Sequence, residues 1–152
     1  MQLATEEVFI EYCVNCQHHA WCTFHEQSRY LYFLDITRKA ILDKVPSATI
    51  VENTLPRQFL RKVSRAFEQE ASFRSKPIPL TPTVWDERVE QYVRFPRVGA
   101  FEVYWNGRVI YSKLRTGMWP NPTMVAAYLK ELVRDKNKNT TSRLPEGTYA
   151  PF

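Results

Sequence analysis

Apolar and polar positions follow a regular pattern in five stretches of the chain, and each predicts an element or a hairpin. Val8 to Tyr12 is short and nearly all apolar, as in a buried strand. From Ser28 to Val45, the residues Phe33, Ile36, Ala40, Ile41 and Val45 recur at three-to-four spacing, which predicts a helix that Pro46 ends. Ala48 to Glu52 predicts a second short strand, giving strand, helix, strand, the unit that builds a parallel pair. Further on, Gly99 to Lys113 alternates on either side of Asn106-Gly107, a strong signal for a hairpin with a type I′ turn. A two-residue loop there puts Phe101, Val103 and Ile110 on one face and Tyr104, Val109 and Tyr111 on the other. The last element is a helix from about Asn121 to Asp135, with Val125, Tyr128, Leu129, Leu132 and Val133 in one stripe. Pro120-Asn121-Pro122 supplies its start.

The pattern is weaker in between. Pro56 opens a second helix with Phe59 or Leu60, Val63 and Phe67 on one face. Ala71 to Arg97 is rich in proline and aromatics and predicts an irregular excursion with at most a short helix around Trp85 to Val93. Lys136 to Phe152 shows no periodicity and reads as an extended polar tail. The sum is one α/β domain over 1–135, with insertions at about 17–27 and 53–97. Its sheet is four-stranded and mixed: 8–12 and 48–52 are parallel, the 100–112 hairpin is antiparallel, and helices flank it.

Composition narrows the class. With 152 residues, 44% apolar and 14% aromatic, the chain is long enough for a core of its own and is not a disordered polymer. The net charge is +5, with basic residues gathered at Arg57, Arg61, Lys62 and Arg65 and again at Lys130, Arg134, Lys136, Lys138 and Arg143. These predict solvated helix faces, with RNA, anionic lipid or an acidic protein as the sharper alternatives. No RNA-binding motif or stacking platform accompanies the charge. No apolar run reaches the length of a membrane span, and the chain as given opens with no secretory signal. Asn139-Thr140-Thr141 fits a glycosylation sequon, but without such a signal it reads as polar tail.

The candidate chemistry lies in Cys13-Val14-Asn15-Cys16, directly after the first strand. Two thiols two residues apart close a disulfide at little entropic cost, and a following helix N-terminus activates one of them. A dithiol after an N-terminal strand, then a helix and a later hairpin, is the layout of a thioredoxin-like redox domain. Three cysteines confined to 13–22 do not make a secreted disulfide framework, so a reducing compartment, cytoplasmic or mitochondrial, is expected. A second reading is zinc, held by Cys13, Cys16, Cys22 and His25 with His18 and His19 in reserve. Zinc and dithiol activity exclude each other. A third reading is a non-catalytic accessory subunit of a larger respiratory or ribosomal complex, held through the 53–97 insertion, with Trp85, Tyr92 and Phe95, and through the 136–152 tail.

The order of these parts resembles the Rdx family, the thioredoxin-like selenoproteins W, T and H and their cysteine-containing relatives. The resemblance rests on Ile10-Glu11-Tyr12-Cys13-Val14-Asn15-Cys16, Val45-Pro46, Gly99-Ala100-Phe101-Glu102-Val103 through Ser112-Lys113, and Gly117-Met118-Trp119-Pro120. Val51 to Pro56, opening a long insertion, is most similar to the selenoprotein T branch. The resemblance implies a thioredoxin-like fold and thiol redox activity with no organic cofactor, exchanging with protein thiols or glutathione. It implies Cys16, where family selenoproteins carry selenocysteine, as the more reactive atom and Cys13 as its resolving partner. Thioredoxins attack with the first cysteine, so both assignments stay open here. Pro96 stands roughly where thioredoxins place a cis-proline, but several residues early. Three features depart from the family: the longer interval from Cys16 to Pro46, the absence of membrane-type apolar stretches in 53–97, and the added tail. The first matters most, because a helix that no longer starts at Cys16 withholds a stabilisation of about 0.3–1 kcal/mol from its thiolate.

Overall fold

The computed structural model describes residues 6–14, 27–56 and 83–138. Its central sheet has the strand order β2 (Ala48–Glu52), β1 (Glu6–Tyr12), β5 (Phe101–Trp105), β6 (Arg108–Ser112). β1 (Glu6–Tyr12) lies inside it, parallel to β2 (Ala48–Glu52) on one side and antiparallel to β5 (Phe101–Trp105) on the other. β6 (Arg108–Ser112) completes the sheet as the second arm of the hairpin. The mixed sheet with its parallel strand-helix-strand unit is the expected thioredoxin-like architecture.

Strand alternation sorts the sheet into two faces of different chemistry. Val8, Ile10, Phe101, Val103 and Trp105 point towards the helices and are buried in one cluster with residues of α1 (Gln27–Lys44) and of the C-terminal helix. Within α1 the fully buried positions are Tyr30, Leu34, Thr37 and Ile41, while Phe33, Ile36 and Ala40 are half-buried. The apolar stripe is thus rotated by about one residue from the periodicity-based expectation, because Tyr30 and Thr37 join it. Val45 closes the helix through its amide to the Ile41 carbonyl (2.7 Å), and Pro46 follows.

The hairpin turn is as expected: Asn106 (φ 50°) and Gly107 (φ 76°) take the left-handed conformations that a type I′ turn requires. The faces of β6 need correction. A bulge shifts the register between Val103 and Tyr104, so Val103 faces Tyr111 and Tyr104 faces Val109. Ile110 is the extra residue, and Tyr111 as well as Ile110 enters the core. Alternation counted from the turn cannot see a bulge.

A second correction concerns Trp85 to Val93. In place of a short helix, β3 (Thr83–Asp86) and β4 (Gln91–Arg94) form a two-stranded antiparallel ribbon. Glu-Arg-Val-Glu-Gln is good helix material, but Asp86 overrides it. Its carboxylate accepts from the Arg88 backbone N–H (3.0 Å) and from two guanidinium nitrogens of Arg88 (3.0 and 2.6 Å), which fixes a turn. The Arg88 hydrogen bonds hold the Asp86 carboxyl below the usual carboxylate range. Arg88 also donates to the Val98 carbonyl (2.8 Å), tying the ribbon to the segment that leads into β5.

After β6 the chain makes one short helical turn, α2 (Lys113–Thr116), capped by Ser112 and ended by Gly117 in the left-handed region (φ 70°). α3 (Pro122–Lys138) starts with Asn121 Oδ1 accepting from the Met124 amide (3.2 Å) and Pro122 in its first turn. It buries Val125, Ala126, Leu129, Leu132 and Val133 against α1 and the sheet. It runs three residues past the expected end, so Lys136 to Lys138 are helical and not tail. Lys136 is held by Glu6 (3.3 Å), which also accepts from the Trp105 indole (2.8 Å). The helix expected after Pro56, residues 17–26 of the first insertion and the tail from 139 onward lie outside the described residues, and Gln27 is the first residue of α1.

Candidate functional site

Cys13 leaves the end of β1 at the C-terminal edge of the parallel pair, where α/β sheets present their chemistry. Its amide donates to the Ala100 carbonyl (2.9 Å), and the Cys13 carbonyl accepts from Gln27 Nε2 of α1 (3.4 Å). The motif cysteine and the Gly-Ala-Phe-Glu segment, 86 residues apart in the sequence at their first members Cys13 and Gly99, are therefore brought side by side. Asn53, with positive φ (46°), braces the same edge: its side-chain oxygen accepts from the Tyr12 amide (2.8 Å) and its own amide donates to the Ile10 carbonyl (2.8 Å). Cys13 is only 1% exposed and belongs to the core cluster. Cys16, Cys22, His18, His19 and His25 lie outside the described residues, so three of the four expected zinc ligands (Cys16, Cys22 and His25) are among them. Among the described residues, no three His, Cys, Asp or Glu side chains group to hold a metal ion. α1 begins at Gln27, well after Cys16.

Beside this edge Trp119 covers the core. It stacks on Phe33 (centroids 4.5 Å apart, planes within 6°) and meets Tyr30 (4.7 Å) and Phe101 (6.1 Å) edge-on. Lys113 Nζ lies 4.8 Å over the Trp119 ring and donates to the Gly99 carbonyl (3.1 Å). Trp119 is thus a packing residue, whereas Met118 stands out into solvent. Tyr111 hydroxyl, hydrogen-bonded to the Met118 carbonyl and to Thr116 Oγ1, fixes the loop that carries both. The Phe95–Pro96 peptide bond just upstream is cis.

The other face of the sheet holds a feature the motif search passed over. Glu11 and Glu102 are direct cross-strand partners, 1% and 3% exposed. Arg97 grips Glu11 with two guanidinium bonds (3.0 and 2.8 Å) and its backbone N–H (2.8 Å), and lies 3.8 Å from Glu102. Tyr104 hydroxyl donates to Glu11 (2.6 Å). Glu102 instead accepts from Ser112 Oγ (2.6 Å) and from the amide of Lys113 (2.8 Å). Burial, then the neighbouring Glu11 charge, push the Glu102 carboxyl up to about 7 against the opposing pull of Ser112 and Arg97. Burial drives the Tyr104 hydroxyl well above its ordinary range; it opposes the charge on Arg97, but the bonds and charge of Glu11 raise that group nonetheless. A glutamate inside Val-Phe-Ile-Glu-Tyr and another inside Phe-Glu-Val-Tyr-Trp is the signal in the sequence: a carboxylate at the centre of an apolar strand needs a partner.

The family model of the Rdx family matches residues 7–135. This chain belongs to the Rdx family. As a member it is a thioredoxin-like, redox-related protein. No curated protein and no solved structure matches the chain. No helix among the described residues of this Rdx protein is long and apolar enough to cross a membrane.

Proposed function

We propose that this Rdx protein is a thiol–disulfide oxidoreductase acting through Cys13 and Cys16, with Cys16 attacking and Cys13 resolving. The observation that supports it most is Cys13 itself, hydrogen-bonded between the hairpin strand and the start of α1 but with almost no surface open to a third sulfur. A thiol so enclosed suits an intramolecular second step better than the encounter with substrate. In the first step the Cys16 thiolate attacks one sulfur of a substrate disulfide; the S–S bond breaks, and the departing thiolate takes a proton. In the second, the Cys13 thiolate attacks Cys16 Sγ and releases the second substrate thiol. The substrate gains two electrons, and the protein is left with a Cys13–Cys16 disulfide. A thiol reductant of the glutathione or thioredoxin class restores the dithiol. Such chemistry needs no organic cofactor and belongs to a reducing compartment such as the cytoplasm or the mitochondrion.

The variants separate the roles. With glutathione disulfide as substrate, Cys16→Ser should form no mixed disulfide, whereas Cys13→Ser should accumulate one, read by intact-protein mass. A mixed disulfide that accumulates in Cys16→Ser and not in Cys13→Ser would reverse the assignment, and full activity in either variant would overturn the two-cysteine mechanism. Zinc released in one-to-one ratio by a chelator, with thiols appearing in step, would replace the redox reading with a metal site at Cys13, Cys16, Cys22 and His25.

A second reading has its own support in the β3–β4 ribbon. Trp85 and Tyr92 pair across it edge-to-face (5.2 Å) and are 47% and 46% exposed, an aromatic surface suited to holding a protein partner. In that reading the chain is an accessory subunit of a larger complex, bound through the 53–97 insertion. Gentle purification from the source organism decides it: a free monomer counts against a stable assembly.

A further inference from the structure

At the end of the domain remote from Cys13, the C-terminal turns of α1 and α3 enclose an open groove of about 420 Å³. Val45 and Val133 line it among basic side chains: Lys44 from α1, and Lys130, Arg134 and Lys138 from α3. The three on α3 are spaced by four residues and form a single stripe along the helix. Among the described residues, Arg134 has an ion-pair partner in Glu131 one turn back (2.5 Å), and Lys44, Lys130 and Lys138 have none. Lysines at the last positions of two helices are accounted for by the helix dipole, which covers Lys44 and Lys138. Lys130 and Arg134 fall outside that explanation. Like charges four residues apart weaken a helix, so folding alone gives no reason for the stripe.

We propose that this groove docks an acidic segment of a partner protein that carries an apolar side chain. Charge complementarity selects the acidic residues; Val45 and Val133, 4% and 9% exposed, offer only their outer edges, so the apolar group loses water against these and the alkyl stems of the surrounding lysines. The same features disfavour other polyanions. Recognition of single-stranded nucleic acid uses exposed aromatic platforms, and the described residues of the groove lining include no aromatic. A bilayer surface favours an amphipathic face with large apolar residues projecting from it, whereas here the valines lie between basic walls. The proposal holds whether or not the dithiol is active, since it concerns the opposite end of the sheet.

The test is fluorescence anisotropy with a labelled peptide of glutamates flanking one leucine, alongside mixed-sequence single-stranded RNA and phosphatidylserine-containing vesicles. The peptide should bind the full chain at low salt. Lys44→Glu/Lys130→Glu/Lys138→Glu should weaken it by more than about tenfold, while Arg38→Glu/Lys39→Glu/Arg94→Glu, the same charge change elsewhere, should leave it within about twofold. Replacing the peptide's leucine by serine should cost several-fold with the unaltered protein, a measurement independent of whether the triple variant folds. The proposal fails if the peptide does not bind, if both triple variants weaken it equally, or if the leucine makes no difference. It also fails if RNA or vesicles bind more tightly than the peptide through the same three lysines.

Discussion

Arg97→Ala should be the most damaging single substitution among the described residues outside the apolar core. It removes the guanidinium that grips Glu11 and leaves a carboxylate that is 1% exposed with, among the described residues, the Tyr104 hydroxyl as its remaining side-chain donor. Breaking a buried pair by deleting one partner costs about 3–5 kcal/mol, against a total stability of about 5–15 kcal/mol for a domain of this size. Urea denaturation should show this as a large fall in midpoint with the slope retained. Arg97→Lys should fall between, because one ammonium cannot reproduce the fork that engages Glu11. The pair Arg97→Met/Glu11→Gln should lose less than Arg97→Ala alone, since neither charge is then stranded. Equal losses in single and double variants would mean that Arg97 acts through packing and not through its charge.

The second large effect is a pH dependence assigned to Glu102. Its folded-state carboxyl is raised to about 7, above an ordinary value of 4.5, so the native protein holds the proton more tightly than the unfolded chain. The contribution to stability is complete below the ordinary value and is lost as pH rises through about 7. Over that window the loss amounts to roughly 3 kcal/mol, after which the curve is flat. The charged groups facing Glu102 are Glu11 and Arg97, and Ser112 and the Lys113 amide bind its oxygens. Glu102→Gln is a fair probe. Its amide oxygen can accept from Lys113, and its NH₂ can donate to Ser112 Oγ, which already accepts from the Arg115 amide (3.2 Å). The variant should gain on the unaltered protein by roughly 2.5 kcal/mol between pH 5 and pH 8, measured by denaturation across that range. Parallel curves would place the proton elsewhere.

Both effects arise in a cluster that motif reading missed, although the sequence held its signal. Glu11 and Glu102 each interrupt an apolar strand, and the register that pairs them follows from β1 lying beside β5. The regular elements were legible because their signals are local: Pro46 and Pro122 bound helices, and Asn106-Gly107 makes one kind of turn. The bulge at Ile110 was not, because it depends on how β6 meets β5 over several residues. Nor was the β3–β4 turn, where a single carboxylate with its arginine outweighs the helix preference of the residues between. The adjacency of Cys13 to Ala100 could be drawn from the family resemblance, but not the depth at which Cys13 is buried. That depends on the packing of the whole cluster, which holds Cys13 with Tyr30 and is flanked by Phe33 and Trp119.

Lys113 spans both faces of the sheet: its backbone N–H serves Glu102, and its ammonium rests over the Trp119 indole. Gain or loss of the proton on that acid should therefore alter the field at a chromophore. Trp119 becomes an optical reporter of events on the far side of the protein, and its emission should titrate near neutrality in the unaltered chain but not in Glu102→Gln.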